Sequence, residues 1–385
     1  MKPTIVHCDL DAFFVSVERL LNSSLIGKPV LIGGSSNRGV VASCSYEARK
    51  FGVHSAMPMR LARQLCPEAM IVRGDFDLYS KYSNIVTEII EEEIPIVEKA
   101  SIDEHYLDMT GMDRFFGTWK LTQEFRQRII KETGLPISFG LSANKTVSKI
   151  ATGEAKPSGE RKVDFGAEKP FLAPLSIRKI PGVGDKTYTL LRNMGIAQIA
   201  TIQQMEATAM GQVLGKNGIQ IWKKANGIDQ SPVVPFEHQK SMSKETTFEQ
   251  DTIDVKLLRD VLLSMVDELA YELRQKQRLT SNVSVKIRYS NFDTHTMQAK
   301  LPFTSSEKVI AEKALFLFDK LHSRRMLIRL IGVKLSDLVS GSYQTDLFND
   351  TLSDLHLSQA MDQIRKRFGY QAVVRGFAIP NKKVS

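Results

Sequence analysis

The chain has 385 residues, 42% of them hydrophobic and 25% charged, and its 52 Lys and Arg against 43 Asp and Glu give a formal net charge of +9. The length suggests two to four domains, the composition is that of a soluble globular protein, and no stretch approaches the roughly 18 apolar residues of a membrane helix. A basic balance favours an anionic partner, either nucleic acid or an acidic surface.

The opening M-K-P-T-I-V-H-C-D-L-D meets acids too early for a signal peptide, which points to the cytoplasm. Cys8, Cys44 and Cys66 are odd in number and form no C-x-x-C pair, so they read as buried reduced thiols. T-I-V-H-C-D-L-D-A-F-F begins as a buried strand and turns into a helix near Phe14. P-V-L-I-G-G and G-V-V-A-S-C-S-Y follow as short strands, and Y-E-A-R-K-F-G and P-M-R-L-A-R-Q-L-C as helices. A long helix is predicted over Tyr79 to Glu93, a strand over S-I-D-E-H-Y-L-D-M-T, a helix over Thr118 to Thr133, the strand I-S-F-G-L-S-A and a helix from Lys145 to Glu154. This mixed order indicates an α+β unit.

From Leu175 to Asp229 the pattern becomes short helices separated by glycines, and Ser231 to Lys240, with two prolines and no period, reads as a linker. A compact β-rich domain follows: strand S-M-S-K-E-T-T-F, a helix from Val255 to Gln277, the alternating strand N-V-S-V-K-I-R-Y, Q-A-K-L-P-F, a further helix and I-R-L-I-G-V-K-L. From Val339 onward the chain is a polar tail plus one amphipathic basic helix, Q-A-M-D-Q-I-R-K-R-F-G. The positive excess lies late: Glu168 to Asp229 holds eight Lys/Arg against four acids, and Lys240 to Ser340 holds 17 against 13.

Two adjacent carboxylates, Asp103 and Glu104, interrupt an otherwise apolar strand, and Asp9 ends the first buried strand. Should the two strands be neighbours, three acids converge, and like charges cannot all ionise together without cations. Hard divalent ions with oxygen ligands, Mg²⁺ above all, meet that need. Two such ions roughly 3.5–4 Å apart serve in-line phosphoryl transfer. The plain alternative is that the acids cap turns or pair with surface lysines.

D-L-D-A-F-F-V-S-V-E, S-Y-E-A-R-K-F-G-V, S-I-D-E-x-Y-L-D and A-K-P-S-G, in this order, resemble the motifs of the Y-family of translesion DNA polymerases, in its DinB branch. The likeness covers about residues 4 to 348. It implies an α+β, multidomain right-hand polymerase. The catalytic palm would comprise residues 1–10 and 75–165, the small fingers 11–74, and a helix-hairpin-helix thumb 166–230. A linker over 231–240, a β-rich little finger over 241–340, and a tail with a C-terminal helix over 341–385 would follow. By the resemblance, Asp9, Asp103 and Glu104 hold two Mg²⁺ ions, and the carbonyl of Leu10 completes one ion's shell. Asp11 and Asp108 are left to structural hydrogen bonding.

The resemblance makes Phe14 a steric gate against a 2′-hydroxyl, with Phe13 beside it, partly a core residue. Tyr46, Arg49 and Lys156 match the triphosphate contacts, in keeping with the forked guanidinium and the ammonium as phosphate partners. I-R-K-I-P-G-V-G-D-K-T lacks the glycine spacing of a P-loop. It fits a helix-hairpin-helix in which Gly182, Gly184 and Lys186 meet a DNA phosphate; L-G-K-N-G-I-Q-I-W is a looser second copy. Lys286 and Arg288 alternate with apolar neighbours, as on a sheet with one basic face for DNA. Q-T-D-L-F resembles the peptide by which bacterial polymerases hold the β sliding clamp, with Gln344, Leu347 and Phe348 as its anchors.

The expected activity is error-prone, template-directed addition of deoxynucleotides to a primer, without a proofreading exonuclease. Primer–template DNA, deoxynucleoside triphosphates and the clamp are the partners of a monomer that needs no membrane. His105 departs from the family, which usually has a small residue there, and raises the expectation that an imidazole tunes the site's response to pH. A nucleotidyl cyclase also sets paired acids and Mg²⁺ on such a sheet, but has no use for the helix-hairpin-helix or clamp motifs. A catalytically dead, clamp-tethered DNA-binding protein and a polymerase subunit dependent on accessory partners are the other readings. Primer extension by the lone chain separates all three from an autonomous polymerase.

Overall fold

Residues 3–34, 36, 38–112, 117–235, 239–341 and 352–374 are described by the computed structural model; side chains 352–355 and the Q-T-D-L-F stretch lie outside the described residues. The chain forms two compact units, 1–237 and 238–385, and their boundary falls inside the segment read as a linker. No helix among the described residues is long and apolar enough to cross a membrane.

The first unit is organised around strand β1 (Ile5–Leu10), whose residues are nearly all buried. After it come α1 (Phe13–Leu21), β2 (Val30–Gly33), β3 (Val41–Cys44), α2 (Tyr46–Arg49), α3 (Met59–Leu65) and β4 (Met70–Val72). Then follow α4 (Phe76–Glu93), β5 (Val97–Lys99), β6 (Glu104–Asp108), α5 (Thr118–Thr133), β7 (Ile137–Ser142), α6 (Lys145–Ala155) and β8 (Glu160–Lys162). The main sheet has the order β5-β6-β1-β7-β8, so β1 and β6 are antiparallel neighbours at its centre. A smaller sheet, β3-β2-β4, closes over its own apolar cluster of Leu31, Val41, Ala48, Met59 and Cys66. All three cysteines are free and buried.

Helix α6 lies close against the main sheet because β7 carries Gly140. A Cβ there would stand 2.3 Å from the carbonyl oxygen of Ser148, closer than any side chain allows. Short helices α7 (Glu168–Leu172), α8 (Asp185–Asn193), α9 (Ile199–Gln204) and α10 (Ala207–Ala225) complete the unit around Leu172, Ile177, Leu191, Ile202 and Ile221. Helix α10 is broken at Gly215, which adopts φ +61, within the stretch read as a looser hairpin.

The second unit contains β9 (Ser241–Thr252), α11 (Val255–Gln275), β10 (Arg278–Tyr289), β11 (Thr294–Thr304), α12 (Glu307–Leu321), β12 (Ile328–Ser336), β13 (Val339–Ser340) and α13 (Leu352–Phe368). Its antiparallel sheet runs β11-β10-β12-β9, with β13 also paired to β10. Leu262, Leu269, Val283, Val285, Ile287 and Phe318 form its core.

The C-terminal helix, read from sequence as part of a tail, belongs to this unit. Arg365 reaches Asp267 of α11 with two bonds of 3.0 and 2.6 Å, and the Tyr370 hydroxyl donates to the same carboxylate at 2.6 Å. Both charged side chains are essentially fully buried. Arg274 and Asp362 make a second bidentate pair nearby. One cation of the helix that reads from sequence as amphipathic and basic, Arg365, is therefore part of a buried lock. Removing one partner of such a pair strands a charge out of water.

Candidate active site

The register of β1 against β6 sets Asp9 opposite Glu104, and directly opposed residues share one face of a sheet. The strand predicted from Ser101 begins only at Glu104. Residues 101–103 form a bend, in which Ser101 Oγ donates to Asp103 Oδ1 at 2.5 Å and accepts from the amide of Glu104 at 3.0 Å. The Leu10 amide donates to the carbonyl of Asp103 at 3.0 Å and ties this bend to the end of β1. Simple alternation would have sent the two adjacent acids to opposite faces; the bend frees Asp103 from that rule.

Asp9 and Asp103 line a cavity of about 140 Å³ together with Leu10, Phe13, Phe14, Arg49 and Lys156. Lys156 Nζ lies 2.5 Å from Asp9 Oδ1. Burial nevertheless pushes the Asp9 carboxyl up to about 7, against the opposing pull of that ammonium. Glu104 leans the other way, toward α6, where Lys149 Nζ donates to its Oε2 at 2.5 Å. Burial acts to raise Glu104, but the neighbouring His7 and Lys149 outweigh it and hold the group at about 2. His7 Nε2 stands 3.9 Å from the same oxygen, outside hydrogen-bond reach, while its Nδ1 meets Thr152 Oγ1 of α6 at 2.9 Å.

The available donors, three carboxylates and a backbone carbonyl, are all hard oxygens and fit Mg²⁺. Among the described residues, however, no three His, Cys, Asp or Glu side chains are gathered closely enough to hold a metal ion. The acids are instead divided between two lysines. Asp9 is with Lys156, and Glu104 is with Lys149.

Phe13 is 3% exposed and packs in the core. Phe14 is stacked on Tyr79 of α4, with ring centroids 4.3 Å apart and planes 11° from parallel. The Tyr79 hydroxyl donates to Glu18 Oε1 at 2.6 Å, which fixes the platform under Phe14. The guanidinium of Arg49 lies over the Tyr46 ring, 4.6 Å from its centroid.

Asp11 is 2% exposed and acts as a brace. Its Oδ1 accepts from Tyr46 Oη at 3.1 Å, and its Oδ2 from Ser138 Oγ and the Ser158 amide, each at 2.7 Å. One carboxylate thus joins α2, β7 and the loop that follows Lys156. Asp108 Oδ1 accepts from the Thr110 amide at 2.9 Å and closes a turn.

His105 lies on the face opposite Glu104. It is fully buried, its Nε2 meets Thr87 Oγ1 of α4 at 3.0 Å, and burial lowers its pKa to about 3. Its bond to Thr87 sets the imidazole against α4, on the other side of the sheet from the Glu104 carboxylate.

Farther along the first unit, Gly182 takes φ +102, where a side chain would be strained, and Gly184 is the N-cap of α8. Lys186 is exposed in the first turn of that helix. In the second unit Lys286 pairs with Glu245, and Arg288 Nε donates to Thr294 Oγ1 at 2.9 Å. Both project from the side of β10 opposite the buried Val283, Val285 and Ile287. Sequence reasoning passed over Lys149, His7, Thr152 and Tyr79. Lys149, Thr152 and Lys156 recur at a helical spacing, but nothing local shows what they face.

Comparisons with known proteins agree over most of the chain. Residues 8–153 match the impB/mucB/samB family, and residues 239–347 match the C-terminal domain of the same family. A DNA polymerase IV of Dehalococcoides mccartyi strain BAV1 is 38% identical over 376 residues, 97% of this chain and 96% of the relative. The DNA polymerase IV of Treponema denticola is 38% identical over 89% of this chain and 88% of its own. That of Methanoculleus marisnigri is 37% identical over 88% and 95% respectively. Among solved structures, a Y-family DNA polymerase chimera, Dbh-Dpo4(243-245)-Dbh, superposes with a TM-score of 0.78 at 27% identity and covers 88% of this chain and 100% of the chimera.

Proposed function

Since the chain belongs to the Y-family DNA polymerases, we propose that its translesion DNA synthesis takes place at the cavity between β1 and the bend before β6, with Asp9, Asp103 and Glu104 as the ligands of two Mg²⁺ ions. It is a template-directed DNA polymerase whose substrates are primer–template DNA and deoxynucleoside triphosphates, and it uses a divalent metal. The single observation that carries the site assignment is the cross-strand pairing of Asp9 with Glu104, with Asp103 and Asp9 lining one cavity beside Arg49 and Lys156. Bound ions would neutralise these carboxylates together with the charge on the triphosphate.

The chain's own residues supply placement and selection. Arg49 and Lys156 line the same cavity and would hold the triphosphate, as planar fork and point charge. Holding the triphosphate against the primer 3′-hydroxyl turns a bimolecular reaction into an oriented one. The Phe14 ring, backed by Tyr79, occupies the space beside the sugar and discriminates against a 2′-hydroxyl. The Leu10 carbonyl would be a further oxygen ligand for one of the ions. The helix N-terminus at Gly184, with Gly182 and Lys186, grips a DNA phosphate, and the basic side of β10, with Lys286 and Arg288, tracks the duplex backbone.

We assign residues 1–10 and 75–165 to the palm, 11–74 to the fingers, 166–230 to the thumb and 241–340 to the little finger, and Gln344, Leu347 and Phe348 to sliding-clamp binding by a monomeric enzyme. Primer extension by the purified chain with Mg²⁺ and the four deoxynucleotides tests the site. Asp103→Ala loses extension by about a hundred- to a thousandfold, in the range of removing a principal electrostatic stabiliser, while primer–template affinity is kept. A variant with near-parental extension would overturn the ligand assignment.

A further inference from the structure

Helix α6 carries a stripe toward the acids of the central sheet. Lys145 Nζ meets both oxygens of Glu98 at 2.6 Å, Lys149 takes Glu104, Thr152 takes His7, and Lys156, which caps the helix end, takes Asp9. Positions 145, 149, 152 and 156 recur at the spacing of one helix face. Each lysine on this stripe therefore neutralises one acid. Lys156 faces the nucleotide cavity and Lys145 faces Glu98, away from the metal ligands, which leaves Lys149 without a role in the mechanism above.

We propose that Lys149 is a positioning residue, a resident counter-cation that holds Glu104 while no divalent ion is bound and must yield it when an ion arrives. The inference rests on the reading of Glu104 as a metal ligand. It explains why the acids stand apart here: Oε2 of Glu104 is 2.5 Å from an ammonium, and the carboxylate leans toward α6. An oxygen so engaged cannot give its full charge to a metal. A bare trio of acids, conversely, would repel one another and raise each other's pKa. Lys149 removes that cost and in exchange competes with the ion. Its side chain is 34% exposed, so once displaced it has a path back into water.

Competition predicts a direction opposite to that of a simple structural role. Removing a solvent-accessible competing pair, worth up to about a fivefold factor, tightens metal binding; removing a mere support of Glu104 loosens it. The test is Mn²⁺ titration of the metal-free full chain, without DNA or nucleotide, with free Mn²⁺ read by electron paramagnetic resonance. Lys149→Met binds about fivefold more tightly than the parent, Lys149→Arg binds like the parent, and Asp103→Ala loses the site. Affinity unchanged or weakened in Lys149→Met, with binding still dependent on Asp103, overturns the proposal alone. Binding indifferent to Asp103→Ala overturns the ligand assignment and the proposal with it.

A second measurement needs no substitution. Amine labelling of the parent protein, followed by mass spectrometry, shows Lys149 reacting faster when Ca²⁺ is added, while the exposed Lys162, paired with Asp164, is unchanged. Equal labelling of Lys149 with and without Ca²⁺ refutes the displacement.

Discussion

Replacing Asp11 tests whether one buried carboxylate holds the nucleotide-binding parts of the site together. Asp11→Ala removes the acceptor of three donors, the Tyr46 hydroxyl, the Ser138 hydroxyl and the Ser158 amide. The two hydroxyls can rotate to other acceptors, but the amide cannot. A buried donor left unpaired costs about 1–3 kcal/mol, and a hydrogen bond to a charged group contributes about 1.5–3 kcal/mol, so the loss is about 3 kcal/mol or more. Asp11→Asn is milder. Its amide oxygen can keep Ser138 and Ser158, while its amide nitrogen donates to the Tyr46 hydroxyl, which accepts as readily as it donates. The expected loss there is about 1 kcal/mol. Both tryptophans, Trp119 and Trp222, lie in the first unit, so their fluorescence in urea follows that unit alone. The same variants are assayed for deoxynucleotide KM, which rises about tenfold in Asp11→Ala because Tyr46 and the loop after Lys156 lose their shared anchor, and by much less in Asp11→Asn. Equal, small effects of the two substitutions would refute the brace.

Phe14→Ala admits ribonucleotides in primer extension, and Tyr79→Ala does so partially, because the gate then loses the ring it stacks on; discrimination unchanged in both would dismiss the gate. For the Asp267–Arg365 lock, burial acts to raise the carboxyl of Asp267, but the Arg365 and Tyr370 bonds outweigh it and hold it below the ordinary 3.8. A depressed acid contributes stability that is fully present above the unfolded value and is lost as pH falls through the folded one. Acid below about pH 4 therefore loosens α13 in the parent, and Arg365→Met does so at neutral pH at a cost of about 3–5 kcal/mol; hydrogen exchange across residues 356–374 reads both. Protection there that ignores pH and the substitution would contradict the lock. Deleting Gln344 to Phe348 abolishes clamp-stimulated synthesis and spares basal extension; stimulation that survives the deletion would remove the clamp assignment.

Much of this organisation was legible from local pattern. The apolar run before Asp9, the alternation in N-V-S-V-K-I-R-Y and the glycines near residue 182 each follow from short-range chemistry, and the structure places strands and a helix start there. What local pattern left open or missed depended on distant partners. The meeting of Asp9 and Glu104 was expected only on condition that their strands be neighbours, because it is a matter of register between strands almost a hundred residues apart. The bend at 101–103 is set by the Ser101 hydroxyl and the Leu10 amide, which no periodicity announces. His105 could be placed only once α4 had offered Thr87. The pairing of Arg365 with Asp267 had no local signature, because the two lie almost a hundred residues apart. Lys149 had the right spacing, but its meaning lies in what it touches.

Anomalous diffraction from a ternary crystal with primer–template, incoming deoxynucleotide and Mn²⁺ addresses the central claim most directly. The account predicts two manganese peaks roughly 3.5–4 Å apart, held by Asp9, Asp103 and Glu104, with Lys149 withdrawn from Glu104. Manganese bound away from these carboxylates, or a productive complex with Glu104 still paired to Lys149, would contradict it.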